Sequence, residues 1–296
     1  GASGFIGSHL VRRLVAEGCD VVGIDIDTAQ RPTPDGATIE TVDIRDTDGV
    51  RRVISETQPR AVYHLAAQAS VAVSMRDPVA DIEANVLGTV NLAQAAIKSD
   101  VRRVVFFSTG GALYGEPKHM PVSEDAPPQP ESVYGASKLA AERYLRLLCD
   151  AASVDLSILR PANIYGPGQD PHGEAGVIAI FAARMLAGES ATIFGDGKQR
   201  RDYIYIDDAL DAALLSVVGE PATCLIGSGI GTSTREIFDL VAAASGYERE
   251  PIFAPERPGD IQRIALDASR AADVWGWRPS TALADGLAAT VDSFRA

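Results

Sequence analysis

Tyr134 and Lys138 stand four residues apart in the run Ser132-Val133-Tyr134-Gly135-Ala136-Ser137-Lys138-Leu139-Ala140-Ala141-Glu142. On a helix that spacing stacks both side chains on one face. A free phenol is almost wholly protonated at pH 7 and makes a poor base. An adjacent ammonium favours the phenolate, so the pair reads as a general base usable near neutrality. The chain holds only four Lys, which makes Lys138 a rare residue in an informative place. Upstream, Phe107-Ser108-Thr109-Gly110-Gly111-Ala112-Leu113-Tyr114-Gly115 ends an apolar run in small hydroxylated residues. A hydroxyl there can bond a substrate hydroxyl beside the tyrosine and relay its proton, Thr109 ahead of Ser108. A Ser/Thr turn capping a strand is the plainer alternative.

The opening Gly1-Ala2-Ser3-Gly4-Phe5-Ile6-Gly7, followed by Ser8-His9-Leu10-Val11, suits a phosphate-cradling turn at the head of a helix. Residues without a Cβ let the backbone approach a pyrophosphate, and the helix N-terminus supplies unpaired N–H groups. The spacing is G-x-x-G-x-x-G, for which an ordinary turn is the alternative. A dinucleotide is the expected guest, and its nicotinamide cation would further favour the Tyr134 phenolate. Asp25, 18 residues after Gly7, is placed to bind adenosine ribose and to repel a 2′-phosphate, which favours NAD over NADP. Asp27 could take that role, or Asp25 could simply cap a turn. Asp43 could accept from the adenine amino group or be a solvated loop residue. Such a glycine turn must follow a strand, and because the sequence begins on the first glycine, that strand is expected to have been lost from the record.

Arg201, within Gly195-Asp196-Gly197-Lys198-Gln199-Arg200-Arg201-Asp202-Tyr203, and Arg257, within Arg257-Pro258-Gly259-Asp260, come from different loops. Planar guanidinium matches phosphate oxygens bidentately, so two such arginines suit a diphosphate clamp, although either alone would pass for a surface residue. His9, His64, His119 and His172 have no metal-ligand spacing and form no Ser-His-Asp system; packing and capping are their expected roles, and no metal site is expected.

The elements that must position these groups follow from periodicity. Residues 20–24, 61–65, 103–108 and 154–160 read as buried strands; 5–17, 46–56, 79–98 and 132–150 read as helices. That alternation predicts an α/β fold, a Rossmann-type doubly wound parallel sheet with helices on both faces. Beyond about residue 160, Pro and Gly break the rhythm. Ser233-Thr234-Arg235-Glu236 is a capping box opening a later helix. The expected division is a cofactor domain over residues 1–160, with part of 200–228 returning to it, and a smaller, partly interleaved substrate domain over 161–296, the site lying between them.

Forty acidic against 27 basic residues give a net charge of −13, which disfavours nucleic acid and anionic membranes as partners. No apolar run reaches the roughly 18 residues of a membrane span. Cys19, Cys149 and Cys224 are too scattered for a disulfide framework, so a reducing cytoplasm is expected.

Gly1-x-x-Gly4-x-x-Gly7, Asp25, Asp43-Ile44-Arg45-Asp46, His64-Leu65-Ala66-Ala67-Gln68-Ala69-Ser70-Val71, Asn85-Val86-Leu87-Gly88-Thr89, Tyr134-x-x-x-Lys138, Arg160-Pro161-Ala162-Asn163-Ile164-Tyr165-Gly166-Pro167 and Arg201-Asp202-Tyr203 run from end to end of the chain. With them it resembles the extended short-chain dehydrogenase/reductases, and among these is most similar to the UDP-glucose 4-epimerases. The resemblance implies tightly held NAD and a UDP-sugar epimerised through a 4-keto intermediate. It implies cofactor contacts from Gly1, Gly4, Phe5, Ile6, Gly7, Asp25, Asp43, Ile44, Leu65, Ala66, Ala67, Asn85, Ser108, Tyr134, Lys138 and Pro161. Asn163, Arg201 and Arg257 would hold the diphosphate, Asp260 the uridine ribose, and Val177, Thr192 and Phe194 the uracil. Counting back from Tyr114-Gly115 puts the family's catalytic hydroxyl on Gly110, so Thr109 serves, beside the sugar, if the loop is one residue longer. Ile264 falls at the gate of the sugar pocket, where an intermediate side chain leaves UDP-N-acetylhexosamine or UDP-glucuronate open as substrates. A non-catalytic NAD sensor is the alternative of another class. Gly110-Gly111 after Thr109 weigh against the Asp-Glu chemistry of 4,6-dehydratases. The resemblance also implies a homodimer formed by helices around 79–98 and 132–150.

Overall fold

The computed structural model describes residues 1–29, 31–172, 176–256 and 261–295. Its first half runs α1 (Phe5–Ala16), β1 (Val21–Asp25), β2 (Ala37–Thr41), α2 (Thr47–Thr57), β3 (Ala61–His64), α3 (Val71–Arg76), α4 (Pro78–Ile82), α5 (Gly88–Lys98), β4 (Arg103–Phe107), α6 (Val133–Ala152) and β5 (Asp155–Pro161). The second half runs β6 (Asn163–Tyr165), α7 (Val177–Leu186), β7 (Thr192–Phe194), β8 (Arg200–Arg201), β9 (Tyr203–Tyr205), α8 (Ile206–Val218), β10 (Thr223–Ile226), β11 (Thr232–Ser233), α9 (Thr234–Ser245), β12 (Ile252–Ala254), α10 (Ser269–Trp275) and α11 (Leu283–Asp292).

Strand β4, Arg-Val-Val-Phe-Phe, is buried at every position. A run without alternation needs cover on both faces, and both are covered. Val104 and Phe106 point into a cluster with Val50, Val53 and Ile54 of α2, Leu92 of α5 and Leu145 of α6. Val105 and Phe107 point the other way, toward Ala209 and Ala213 of α8 and Ala271 and Trp275 of α10. The strands run in the order β10-β5-β4-β3, all parallel. This is the doubly wound arrangement expected from the alternation.

β1 and β2 form a parallel pair of their own, and β1 does not pair with β3, in keeping with the expectation that the strand leading into Gly1 is missing. Gly1 sits between the two blocks, its N–H on Ile24 O at 2.8 Å. On its other side a Cβ would lie 2.6 Å from Ala66 N. One expectation is corrected: the helix expected over 79–98 is interrupted. After α4 comes a π-helical turn, Glu83–Leu87, before α5 resumes the α pitch. Helix α3, six residues opened by a Ser70 cap onto Val73 N, is too short to show a period.

A third cluster organises the second half. Ile178 and Phe181 of α7, Ile193 of β7, Phe238 and Val241 of α9 and Leu287 and Val291 of α11 pack together. Helix α9 opens with the expected capping box, Ser233 Oγ on Glu236 N and Glu236 Oε2 on Ser233 N.

Candidate active site

Helix α6 carries Tyr134 in its first turn and Lys138 one turn later. Ser132 caps it by accepting from Gly135 N, and Ser74 of α3 accepts from Tyr134 N at 3.0 Å, so two of the four N–H groups that a helix leaves unpaired at this end are satisfied. Lys138 is buried, with Nζ 4.1 Å from the centre of the Phe106 ring. Burial lowers its pKa to about 7, against the charges of Glu142 and Asp81, which raise it. Burial pushes the Tyr134 phenol up to about 12, opposed by a hydrogen bond from Thr109. Desolvation of the phenol is the largest cause and the charge of Asp81 adds to it, with Thr109 pulling the other way.

The two hydroxyls at the end of β4 separate by role. Ser108 Oγ donates to buried Glu142 Oε1 at 2.5 Å, while Thr109 lies near enough to Tyr134 to draw its phenol down against burial. A side chain at Gly110 would lie 2.3 Å from Leu266 Cδ1 and 2.8 Å from Arg160 O, so this position holds no hydroxyl and Thr109 is the one beside the phenol. Gly110 N donates to Pro161 O, which ties this turn to the end of β5. Glu142 also takes Arg160 bidentately, at 2.9 and 2.6 Å, and Arg160 reaches Tyr114 Oη at 2.6 Å.

Around the glycine turn, a Cβ on Gly7 would overlap Gly1 O at 1.9 Å, whereas one on Gly4 would meet only Gly1 O at 3.5 Å. Gly1 and Gly7 are thus required by packing, and Gly4 faces open space at a helix N-terminus with no side-chain cap. Phe5 and Ile6 follow in the first turn of α1. Asp25 Oδ2 accepts from Ser3 N at 2.9 Å, while Asp27 turns back on Ala29 N. Asp25 is therefore the carboxylate beside the turn. An open, uncapped helix end with a carboxylate at the next strand's tip fits a dinucleotide.

Three further expected contact residues, Asp43, Ile44 and Asn85, have partners within the protein. Asp43 is paired with Arg45 at 2.6 Å, which holds its carboxyl below the usual range. The Ile44 side chain is buried beneath Gly88. Asn85, on the π turn, is buried; its Nδ2 donates to Gln68 O, Asp81 Oδ1 and Ser137 Oγ, and its Oδ1 accepts from Gln68 N. It joins the chain after Leu65, Ala66 and Ala67 to α6. His64 is buried on Thr89 Oγ1 at 2.8 Å, and burial, then Lys138, drive its pKa well down.

In the second half, a cavity of about 810 Å³ is lined by Asn163, Val177, Thr192, Phe194 and Arg201. All five were expected from the sequence. Lining it too are Ile180, Arg184, Gln199 and Tyr203, which sequence reasoning missed. The i, i+3, i+7 positions of α7, Val177, Ile180 and Arg184, carried the signal for one lining face. Asp202, between Arg201 and Tyr203, is buried and accepts from Ser228 N, Ser228 Oγ, Gly229 N and Leu266 N. Burial pushes its carboxyl up and these bonds pull it back, so it clamps three loops around the cavity wall. The link to the Thr109 turn is Asn163, whose Oδ1 lies 3.3 Å from where Gly111 would carry a Cβ. Ile264, expected at the sugar gate, is 1% exposed and packs in the core with Leu113 and Leu266, its N–H on Arg200 O. Arg257 and Asp260 lie outside the described residues.

The NAD dependent epimerase/dehydratase family matches residues 1–221. A UDP-glucose 4-epimerase of Mycolicibacterium smegmatis is 46% identical over 306 residues, covering 100% of this chain and 97% of its own. Among solved structures, a UDP-glucose 4-epimerase of Thermotoga maritima with UDP-glucose superposes with a TM-score of 0.98 at 41% identity, covering 100% of this chain and 97% of that one. One from Thermus thermophilus, in complex with NAD, gives 0.94 at 43%, with the same coverage.

Proposed function

The chain belongs to the NAD dependent epimerase/dehydratase family, and we propose accordingly that it interconverts UDP-glucose and UDP-galactose as an NAD-dependent 4-epimerase. The observation that carries the reading is the grouping of Thr109, Tyr134 and Lys138 between the open glycine turn and the Asn163–Arg201 cavity. Bound NAD supplies the acceptor, and in its reduced form the donor, for the hydrogen on C4.

Tyr134 takes the proton of the 4-hydroxyl, Thr109 bridges that hydroxyl to the phenol, and Lys138 contributes positive charge. Arg201 and Asn163 hold the diphosphate, with the uracil against Val177, Thr192 and Phe194. Because the nucleotide is held firmly and the hexose loosely, the 4-keto sugar can present its other face. Tyr134 then returns the proton and the centre is inverted. The cofactor would occupy residues 1–160, with part of 200–228, where β10 extends the sheet beside β5; the UDP-sugar would sit mainly on 161–296. We place the enzyme in the cytoplasm, which suits its three free cysteines. Two copies would associate through the helices around 79–98 and 132–150, which expose Val79, Ile82, Leu87, Tyr144 and Leu147.

The test is to incubate the full-length protein with UDP-galactose and no reductant, and to follow UDP-glucose by proton NMR. A fixed mixture without net NADH formation is expected. Tyr134→Phe should lower turnover by roughly 10²–10⁴-fold, the usual contribution of a positioned acid–base group, with NAD still bound. Near-normal turnover in that variant would remove Tyr134 from the role.

A further inference from the structure

We propose that Gln199 reads the uracil of the bound nucleotide, its side-chain amide donating to a carbonyl oxygen of the base; this rests on the UDP-sugar reading above. Gln199 lines the cavity together with Thr192, Phe194 and Arg201. It is only 8% exposed, and its Nε2 is buried without a hydrogen-bond partner. A buried donor left unpaired carries a desolvation cost that a ligand acceptor relieves. The backbone around it is fixed: Gln199 O accepts from Thr234 N at 3.0 Å, and the next residue, Arg200, donates its N–H to Gln262 O at 2.8 Å.

The class of acceptor follows from the neighbours. In the extended run through Arg200–Arg201, residues 199 and 201 share one side, so the amide stands next to Arg201, the charge suited to phosphate. A neutral amide adds little to a dianion that an arginine already meets, but it matches a neutral carbonyl. The amide nitrogen also lies 3.5 Å from where Gly195 would carry a Cβ, at the turn following Phe194. The same cavity has an apolar wall of Val177, Ile180 and Phe181 suited to the face of a flat ring. A pyrimidine with carbonyls at C2 and C4 against that wall presents the acceptor that Nε2 lacks.

The experiment measures, by calorimetry, the binding of UDP and of ribose 5-diphosphate, the same ligand without its base, to the NAD-loaded protein and to Gln199→Leu. UDP affinity should fall about tenfold or more in the variant, as when a buried polar partner is removed, with ribose 5-diphosphate unchanged. Unchanged UDP affinity, or a parallel loss for both ligands, would overturn the assignment. Should Gln199→Leu not fold, the unaltered protein decides with thio-substituted ligands. Weaker binding of either 2-thio-UDP or 4-thio-UDP than of UDP supports the contact, and equal binding of all three refutes it. If the unaltered protein fails to bind UDP at all, the epimerase reading fails, an outcome separate from any result on Gln199.

Discussion

Lys138 is drawn in opposite directions by its position and its task. Burial brings its pKa from 10.5 to about 7, yet its proposed role uses the ammonium. Between those two values the unfolded chain carries a proton that the folded, ligand-free protein has released. Stability contributed at this position therefore rises with pH across the window and is least favourable below about pH 7. Lys138→Met removes that burden. Without NAD or nucleotide, the variant should melt a few degrees above the unaltered protein at pH 6, the shift that about 1 kcal/mol produces in a chain of this size. The gap should close toward pH 10. Calorimetric melts across that range check it, and a pH-independent difference would mean that charge burial is not what the substitution relieves. At this scale the sequence made Tyr134 and Lys138 legible, because i, i+4 spacing is a local rule. The direction of the Tyr134 shift was not, since desolvation depends on what lies overhead. The division of labour between Ser108 and Thr109 was hidden too, because it turns on Glu142, a residue 34 positions from Ser108.

Glu142 ties the helix that carries this pair to the sheet. It is 2% exposed, one turn beyond Lys138, and it receives Ser108 from the end of β4 and Arg160 from β5. The alternation of apolar runs disclosed both α6 and β5, because each has its own period. A side-chain pair across helix and strand has none, so nothing in the sequence joined Glu142 to Arg160. The π turn was equally hidden: its five residues, Glu83–Leu87, are too few to show a period of their own. Glu142→Ala would leave the Arg160 guanidinium buried with Tyr114 as its remaining side-chain bond. A broken buried pair costs about 3–5 kcal/mol, a large share of the roughly 5–15 kcal/mol of a typical fold. Urea unfolding should show that loss, and the double replacement Glu142→Met with Arg160→Met should regain most of it, since no charge is then left unpaired. A single-variant loss below about 1 kcal/mol would show that the pair does not hold α6 to the sheet.

For the whole molecule, the notable surface is the one formed by α3 to α6, the same elements that position Tyr134. Leu147 on α6 is 70% exposed and Val79 on α4 is 64% exposed, on a chain whose net charge of −13 makes two copies repel at long range. Association must then come from apolar burial at short range, helped by salt that screens the repulsion. If two copies meet there about a twofold axis, each substitution enters the interface twice. Burying one leucine is worth about 1.5–3 kcal/mol, so Leu147→Glu should weaken a symmetric dimer by about 10²–10⁴-fold. Val218, 81% exposed at the end of α8 on the opposite face of the sheet, provides the control. Sedimentation velocity over a concentration series should show Leu147→Glu shifted to monomer and Val218→Glu unchanged. Equal behaviour of the two variants would place the interface elsewhere. Because Ser74 of α3 holds Tyr134 N from beneath this same surface, a monomeric Leu147→Glu that keeps full turnover would further show that the site's geometry is set within one chain.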